Sequence, residues 1–555
     1  MDATVAQDAL RDPHTSSADL AFIAENHPSL RLLVAHHGEA DPALLDWLKD
    51  LGDPAVSAAV QYRQALAARP VPSTLPTPTQ PEFLPIPESS STESSALDAH
   101  AEPRPALELK LTGAPSGMTR SRRRLIAIVS CVVALTLLVT GFVVVVLPRI
   151  IPPNPWTQVL DNSPPYMFSS VAVADNGDII AAGVVRPIAA SPDDYRGIDA
   201  VIALFAASGD LLWSKTYGGN DTDWFGSVAI AGNGDIIAVG FTDSSDGDFP
   251  TTHDGSDALV ARISPKGNLL WAKTLGGDSW DIFESVAIAD NGDIIAVGST
   301  YSLSGDFATT HTLPDAVVAR LSPTGDLLWA NTRGDGRAAY YFSDVAVAGN
   351  GDIIAVGCDD SAKTADMACA SETANAVVAR ISATGDFLWV KEIGSALRYR
   401  FTSLALADNG DIIAAGDGTT PTGLNNGDAA IARISATGDI LWTKAYGGFD
   451  ADGFTSVALA KNGDIIAVGY TISTNGDFRV THDGPDAVVA GISATGELLW
   501  ANTYGGSRID LFNSVALAKN GDIIAVGYTT SLDGDFPTTL EVGAVVARFT
   551  PKGEL

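Results

Sequence analysis

Cysteine is nearly absent from this chain, with three in 555 residues. So few thiols supply neither a disulfide framework nor a cysteine-rich zinc site. Basic residues are scarce as well: 34 Lys and Arg stand against 66 Asp and Glu, a formal charge of −32. Such a surface repels phosphate backbones, which sets nucleic acid aside as a partner. Solubility accounts for the excess of acid before recognition of cationic partners does. Three catalytic signatures are missing too: no GxSxG elbow, no HExxH helix and no GxxxxGK[ST] loop occurs. Any dyad assembled from the remaining His and Asp breaks the internal repeat, so the expectation is a protein that is not an enzyme.

What the chain does have is repetition. The clearest copy runs FNSVALAKNGDIIAVG from Phe512 to Gly527, then a variable loop, then AVVARFTPKGEL to Leu555. Its Asn-Gly-Asp signature recurs at Asn176, Asn233, Asn291, Asn350, Asn409, Asn462 and Asn520, spaced by 57, 58, 59, 59, 53 and 58 residues. A period of this length with strand patterning inside it predicts a propeller. Four strand signals fall within a unit: SVAIA at 285–289, DIIAVG at 293–298, DAVVARL at 315–321 and DLLWANT at 326–332. The Asn291-Gly292 pair predicts a tight type I′ hairpin.

The Trp of the fourth strand recurs at Trp213, Trp271, Trp329, Trp389, Trp442 and Trp500, and a seventh, Trp156, stands alone before any complete unit. The last unit stops where its own Trp strand should begin. Ring closure follows: the segment at Trp156 supplies the missing fourth strand of the last blade, removing open sheet edges. The expected fold class is an all-β seven-bladed propeller over 154–555, with a single transmembrane helix and a small helical N-terminal module.

GYTTSLDGDFPTT at 527–539 and the recurring TYGG…DxF…SVA, as at 503–516, resemble the bacterial seven-bladed propeller repeat family called SBBP. The resemblance implies an extracytoplasmic surface or envelope protein without assigned chemistry. Residues 1–69 read as short helices, with Leu20, Ile23, Leu30, Leu33 and Val34 apolar at helical spacing, as are Leu44, Leu45, Leu48, Leu51 and Val56. PALLDWLKDLGDPAVSAAV at 42–60 resembles the variant leucine-rich repeat found at the N-terminus of actinobacterial membrane proteins. His27, His36 and His37 lie in this module at spacings that fit no standard metal site.

Residues 70–119 are rich in Pro, Ser, Thr and Glu and hold too little apolar surface to offset ordering entropy, so a disordered linker is expected. The segment 120–148 then joins a basic flank to Leu125–Leu147, 23 residues without a charge. At ~1.5 Å per residue that is about 34 Å, enough to cross a hydrocarbon core. Arg120, Arg122, Arg123 and Arg124 precede it and only Arg149 follows directly. The asymmetry predicts a cytoplasmic N-terminus and an exported propeller, and the resemblances imply the plasma membrane of a Gram-positive-type bacterium. The expected partners are the membrane, a protein or glycan outside, and an unidentified cytoplasmic partner for the helical module. Cys131 falls inside the span. Cys358 and Cys369 flank a blade-four loop, where a disulfide between them is permitted by compartment and loop length.

Binding residues are sought where the longer loops gather, at one end of the ring. Two positions before the Phe of each first strand stand Tyr166, Asp223, Asp281, Tyr340, Tyr399, Asp452 and Asp510. The four units with Asp also carry Gly-Asp-Phe in a later loop, at Asp248, Asp306, Asp477 and Asp535. Three readings stay open. Each first Asp pins the Gly-Asp-Phe loop through backbone N–H groups; each Asp pair holds Ca²⁺ with carbonyl oxygens; or the Tyr and Asp residues together form a ligand platform at the axial mouth. No cofactor is expected beyond that possible Ca²⁺. His253, His311 and His482 recur in equivalent loops and read as solvated. The function expected is a membrane-anchored, surface-displayed binding module. The alternatives are a polysaccharide-active enzyme using acids of the long-loop face and a transmembrane sensor.

Overall fold

A computed structural model describes residues 16–27, 31, 34 and 42–50, and most of 155–555 apart from 161–165, 186–196, 361–373, 394–397, 420–426 and single loop positions. The chain divides into two compact units, Met1–Cys131 and Val132–Leu555. In the first, α1 (Ser17–Asn26) and α2 (Pro42–Asp50) bury Leu20, Ile23, Ala24, Leu44, Leu45 and Leu48, the apolar positions at helical spacing.

The expectation of a spanning helix is corrected. Among the described residues no helix is long and apolar enough to cross a membrane. The two that are described have 10 and 9 residues, about 15 Å of helix against the ~30 Å of a hydrocarbon core. Leu125–Leu147, its basic flank and the linker at 70–119 lie outside the described residues. The fold class is therefore a seven-bladed propeller accompanied by short helices.

The second unit contains seven four-stranded antiparallel sheets. Blades 1 to 6 span 166–217, 223–275, 281–333, 339–393, 398–446 and 452–504, each running in chain order from an inner to an outer strand. Blade 7 takes three strands from 510–549 and its outer strand from Trp156–Leu160, which pairs in register from Trp156 opposite Arg548 to Leu160 opposite Ala544. Inner strands of neighbouring blades touch all round, blade 7 against blade 1 included. Closure proceeds as the stray Trp predicted.

Seven hydrophobic clusters fill the seven gaps between blades. The apolar run of the second strand serves two of them, because successive side chains alternate between its faces. Thus Ile236 and Ala238 pack toward blade 1, and Ile237 and Val239 toward blade 3. The Gly ending this run is obligatory: a Cβ on Gly240 would lie 1.8 Å from the Trp224 carbonyl oxygen.

Two latches tie each blade to the next. The outer-strand Trp lies on the last turn of the following blade, where Gly209, Gly267, Gly325, Gly385, Gly438, Gly496 and Gly553 meet Trp156, Trp213, Trp271, Trp329, Trp389, Trp442 and Trp500 in turn. These glycines all have positive φ, which a larger residue adopts at a cost. In five blades an Arg of the third strand adds a second latch. Arg320 donates from Nε to Asp293 and from Nη1 to the Ala383 carbonyl of the next blade, and Arg548 joins Asp522 to Ala207 across the closure.

The Asn-Gly turn differs from the expected type I′. Gly292 donates to the Ala289 carbonyl and Ala289 to that of Asp293, so Asp290 and Asn291 form the turn and the positive-φ Gly follows it. Asn291 selects this form by accepting from the Asp293 amide and donating to its carboxylate.

Candidate functional site

The recurring acids of the first strand lie at the long-loop end but not on a surface. Asp223, Asp281, Asp452 and Asp510 are wholly buried and stand opposite Thr242, Thr300, Thr471 and Thr529 on the second strand. Asp223 accepts from Thr242 Oγ1 at 2.5 Å, Ser244 Oγ at 2.7 Å and the Gly219 amide at 2.9 Å. Asp248 accepts from the preceding Gly218 amide at 3.2 Å and returns its own N–H to the Gly218 carbonyl. The two carboxylates therefore grip a Gly-Gly turn between blades from either side. The same arrangement holds Gly276-Gly277 with Asp306 and Asp281, Gly447-Gly448 with Asp477 and Asp452, and Gly505-Gly506 with Asp535 and Asp510.

This is the loop-pinning reading with a different partner: the first Asp holds the inter-blade Gly-Gly rather than the Gly-Asp-Phe loop. Hydroxyl and amide hydrogens converge on these carboxylates, a polarity opposite to that of a cation cage. Among the described residues no group of three or more His, Cys, Asp or Glu is arranged to hold a metal ion. Burial is the leading cause that pushes Asp223 and Asp281 up to about 6, and Asp452 and Asp510 in the same direction.

Of the Tyr positions, Tyr166 is half-buried with its hydroxyl 3.5 Å from Ser214 Oγ, and Tyr340 is buried opposite Asp359. Tyr399 stands opposite Gly418. None of the six positions whose side chains are described forms an open platform. Cys358 is buried and disulfide-bonded. Cys369, its proposed partner, lies outside the described residues.

Sequence reasoning missed two sets of residues. His253, His311 and His482 are not simply solvated: each Nδ1 lies 3.0, 2.9 and 3.4 Å from Asp257, Asp315 and Asp486, buried at the start of the third strand. A Cβ on Gly276 would meet Asp257 and Asp281 at 2.4 and 2.6 Å, so the two carboxylates face each other across that glycine.

The second set lines the axis. At the β-bulge of each inner strand the residue after Phe is Ser169, Gly226, Glu284, Ser343, Thr402, Thr455 or Asn513, and the next is Ser everywhere except Asp344. The Ser column is a hydrogen-bonded belt around the axis. Val171, Val228, Val286, Val457 and Val515 each donate an amide to the Ser of the preceding blade. Asp344 joins this belt, accepting from Leu404 N at 2.7 Å, Ser285 Oγ at 2.7 Å and its neighbour Val345 N at 2.8 Å. In the preceding column Thr402, Thr455 and Asn513 donate to the Phe carbonyl of the next blade. An ionised Glu284 has no hydrogen to donate; its side chain is half-buried, and the crowding of the inner strands around the axis pushes its carboxyl up, to about 7.

Nearer the long-loop mouth, one position before Phe, the wall carries Met167, Trp224, Ile282, Tyr341, Arg400, Gly453 and Leu511. Trp224 leans on Phe241 at 5.7 Å and donates from Nε1 to Ser169 Oγ. Tyr341 and Tyr301 share a hydrogen bond of 3.1 Å, and Arg400 pairs with Asp417. Here the seven blades differ in chemistry.

Residues 4–64 match the Leucine Rich Repeat Variant domain, as the resemblance at 42–60 implied. No curated protein matches the chain. Among solved structures, virginiamycin B lyase from Staphylococcus aureus is 10% identical, with 72% of this chain and 100% of that one covered at a TM-score of 0.38. An alpha-L-arabinanase of Penicillium chrysogenum is 11% identical over 73% and 100%, TM-score 0.39. The Pan2 WD40 domain of Neurospora crassa is 9% identical over 69% and 89%, TM-score 0.39. Enzymes and non-enzymes both appear, so the likeness decides nothing about catalysis.

Proposed function

We propose that this chain is a binding protein whose recognition face is the long-loop end of the propeller axis. One observation carries the reading: residues that repeat are consumed by the framework, whereas residues that break the repeat gather on the axial wall. The Asp, Gly-Gly, Trp and Ser columns all have partners inside the ring. Trp224, Glu284 and Arg400 replace one another at equivalent or adjacent stations and differ in chemistry, as a site for an asymmetric ligand requires. A protein or a glycan of the cell exterior is the ligand class. The disulfide at Cys358 supports an oxidising, extracytoplasmic compartment, and the repeat motifs support placement among SBBP-type propellers.

The test is a panel of immobilised glycans and peptides probed with the full chain. Binding that is lost in Arg400→Ala and Trp224→Leu, yet kept in the perimeter variant Leu270→Ser, is the expected result. Binding that ignores the axial variants, or that follows Leu270, refutes it. A second reading, a polysaccharide-active enzyme, draws on Glu284 and Asp344, two carboxyls on adjacent inner strands in different surroundings. It requires turnover of a cell-wall polysaccharide that Glu284→Gln abolishes.

A further inference from the structure

The axial wall of blades 2 and 3 holds a combination found nowhere else in the ring. Blade 2 has Gly226 where every other blade has a side chain. The indole of Trp224 occupies that space: a Cβ on Gly226 would lie 2.9 Å from Cη2 and 3.2 Å from Cζ3 of Trp224. It would also lie 3.3 Å from the backbone oxygen of Glu284, which brings the inner strand of blade 3 beside Gly226 and the indole over it. The ring is held at both ends, by Ser169 through Nε1 and by Phe241 at its side. It remains half-buried rather than covered. Glu284 makes no hydrogen bond or ion pair among the described residues, unlike Asp344 with its three donors.

We propose that this wall is a site for an ammonium group, held between the face of Trp224 and the carboxylate of Glu284. The indole attracts a cation through its quadrupole, and the carboxylate supplies the charge partner that burial alone withholds. Among the described side chains of the inner strands, the other charged groups at or next to this level are Asp344, which takes three hydrogen bonds, and Arg400, one station nearer the mouth and paired with Asp417, and neither is free to replace Glu284. A neutral polar ligand would use the indole and leave the carboxyl protonated. An ammonium ligand instead displaces the Glu284 proton, so proton release on binding marks the class. The inference rests on the axial face proposed above and names what that face takes.

The probe is n-butylammonium, with n-butanol as its neutral counterpart, titrated into the full chain by calorimetry at pH 6 and pH 8. The expected outcome is saturable binding of the ammonium alone, tighter at pH 8, with protons released at pH 6. Glu284→Gln should weaken it at least tenfold and Trp224→Leu several-fold, while Leu270→Ser, exposed on an outer strand, leaves it unchanged. Equal binding of n-butanol, unchanged affinity in Glu284→Gln, or no saturation by the folded wild-type chain overturns the proposal. If n-butylammonium fails while a glycan or peptide is still lost in Arg400→Ala, the axial face stands and only the ammonium assignment falls.

Discussion

Replacing Asp281 by Asn should stabilise this protein at pH 8. Asp281 has no exposed surface, and burial pushes its carboxyl up to about 6 from 3.8. A group whose pKa is raised on folding favours the folded state below the unfolded value, and that contribution is lost as pH rises through the folded value. A carboxyl titrating near 6 when folded and near 3.8 when unfolded therefore weakens the fold by about 3 kcal/mol once ionised in both states. Asn carries no charge to desolvate. It also fits the donors: Oδ2 accepts from the Gly277 amide and Ser302 Oγ, and Oδ1 faces the Thr300 hydroxyl of the opposite strand. A hydroxyl accepts as well as donates, so an amide NH₂ placed at Oδ1 keeps Thr300 as its partner. Urea denaturation followed by circular dichroism at pH 5 and pH 8 measures the effect. Wild type should be less stable at pH 8, and Asp281→Asn should recover up to about 3 kcal/mol of that loss. General repulsion among surface acids also weakens the fold at high pH, but salt screens it and leaves a buried group nearly untouched. An Asn variant that is less stable than wild type at pH 8, or that keeps the wild-type pH slope, refutes the reasoning.

Other consequences follow from the latches. Arg320→Ala leaves Asp293 and the Ala383 carbonyl without their shared donor; with both side chains mostly buried, the loss should be about 3 kcal/mol, read as a lower Cm in urea. Trp156→Ala removes the indole over Gly209 and the bond to the Ala207 carbonyl, costing about 2–4 kcal/mol; differential scanning calorimetry checks it. Gly240→Ala, with its Cβ 1.8 Å from a carbonyl oxygen, should prevent soluble expression or lower Tm further than either, because a Cβ–backbone clash cannot relax by side-chain movement.

Much of the architecture is written in the sequence because a repeat exposes its own columns. The Asn-Gly-Asp period gave the blade count, and the stray Trp156 gave the closure, since a missing strand and an orphan strand have one joint solution. The turn type was not legible, because an Asn side chain decides between two turns that both use Asn-Gly. The acid column was found, but its partners were not: Gly-Gly is conspicuous as a loop, and nothing local says that two carboxylates, one from a strand and one from a later loop, hold it. The His column lay four residues before the Asp it meets, in loops that precede strands whose starts are hard to place. Glu284 and Asp344 could have been found by reading the columns after Phe for exceptions as well as for regularities. The helix expected at Leu125–Leu147 rested on hydropathy alone, and no described helix answers to it.

An axis exists only in a closed ring, and every functional statement depends on it. Amide hydrogen exchange across the full chain tests closure directly. Closure predicts that the amides of Trp156–Leu160 exchange as slowly as the outer strand Leu498–Tyr504 and open together with Gly543–Phe549. Exchange of Trp156–Leu160 at the rate of an unpaired chain would contradict it.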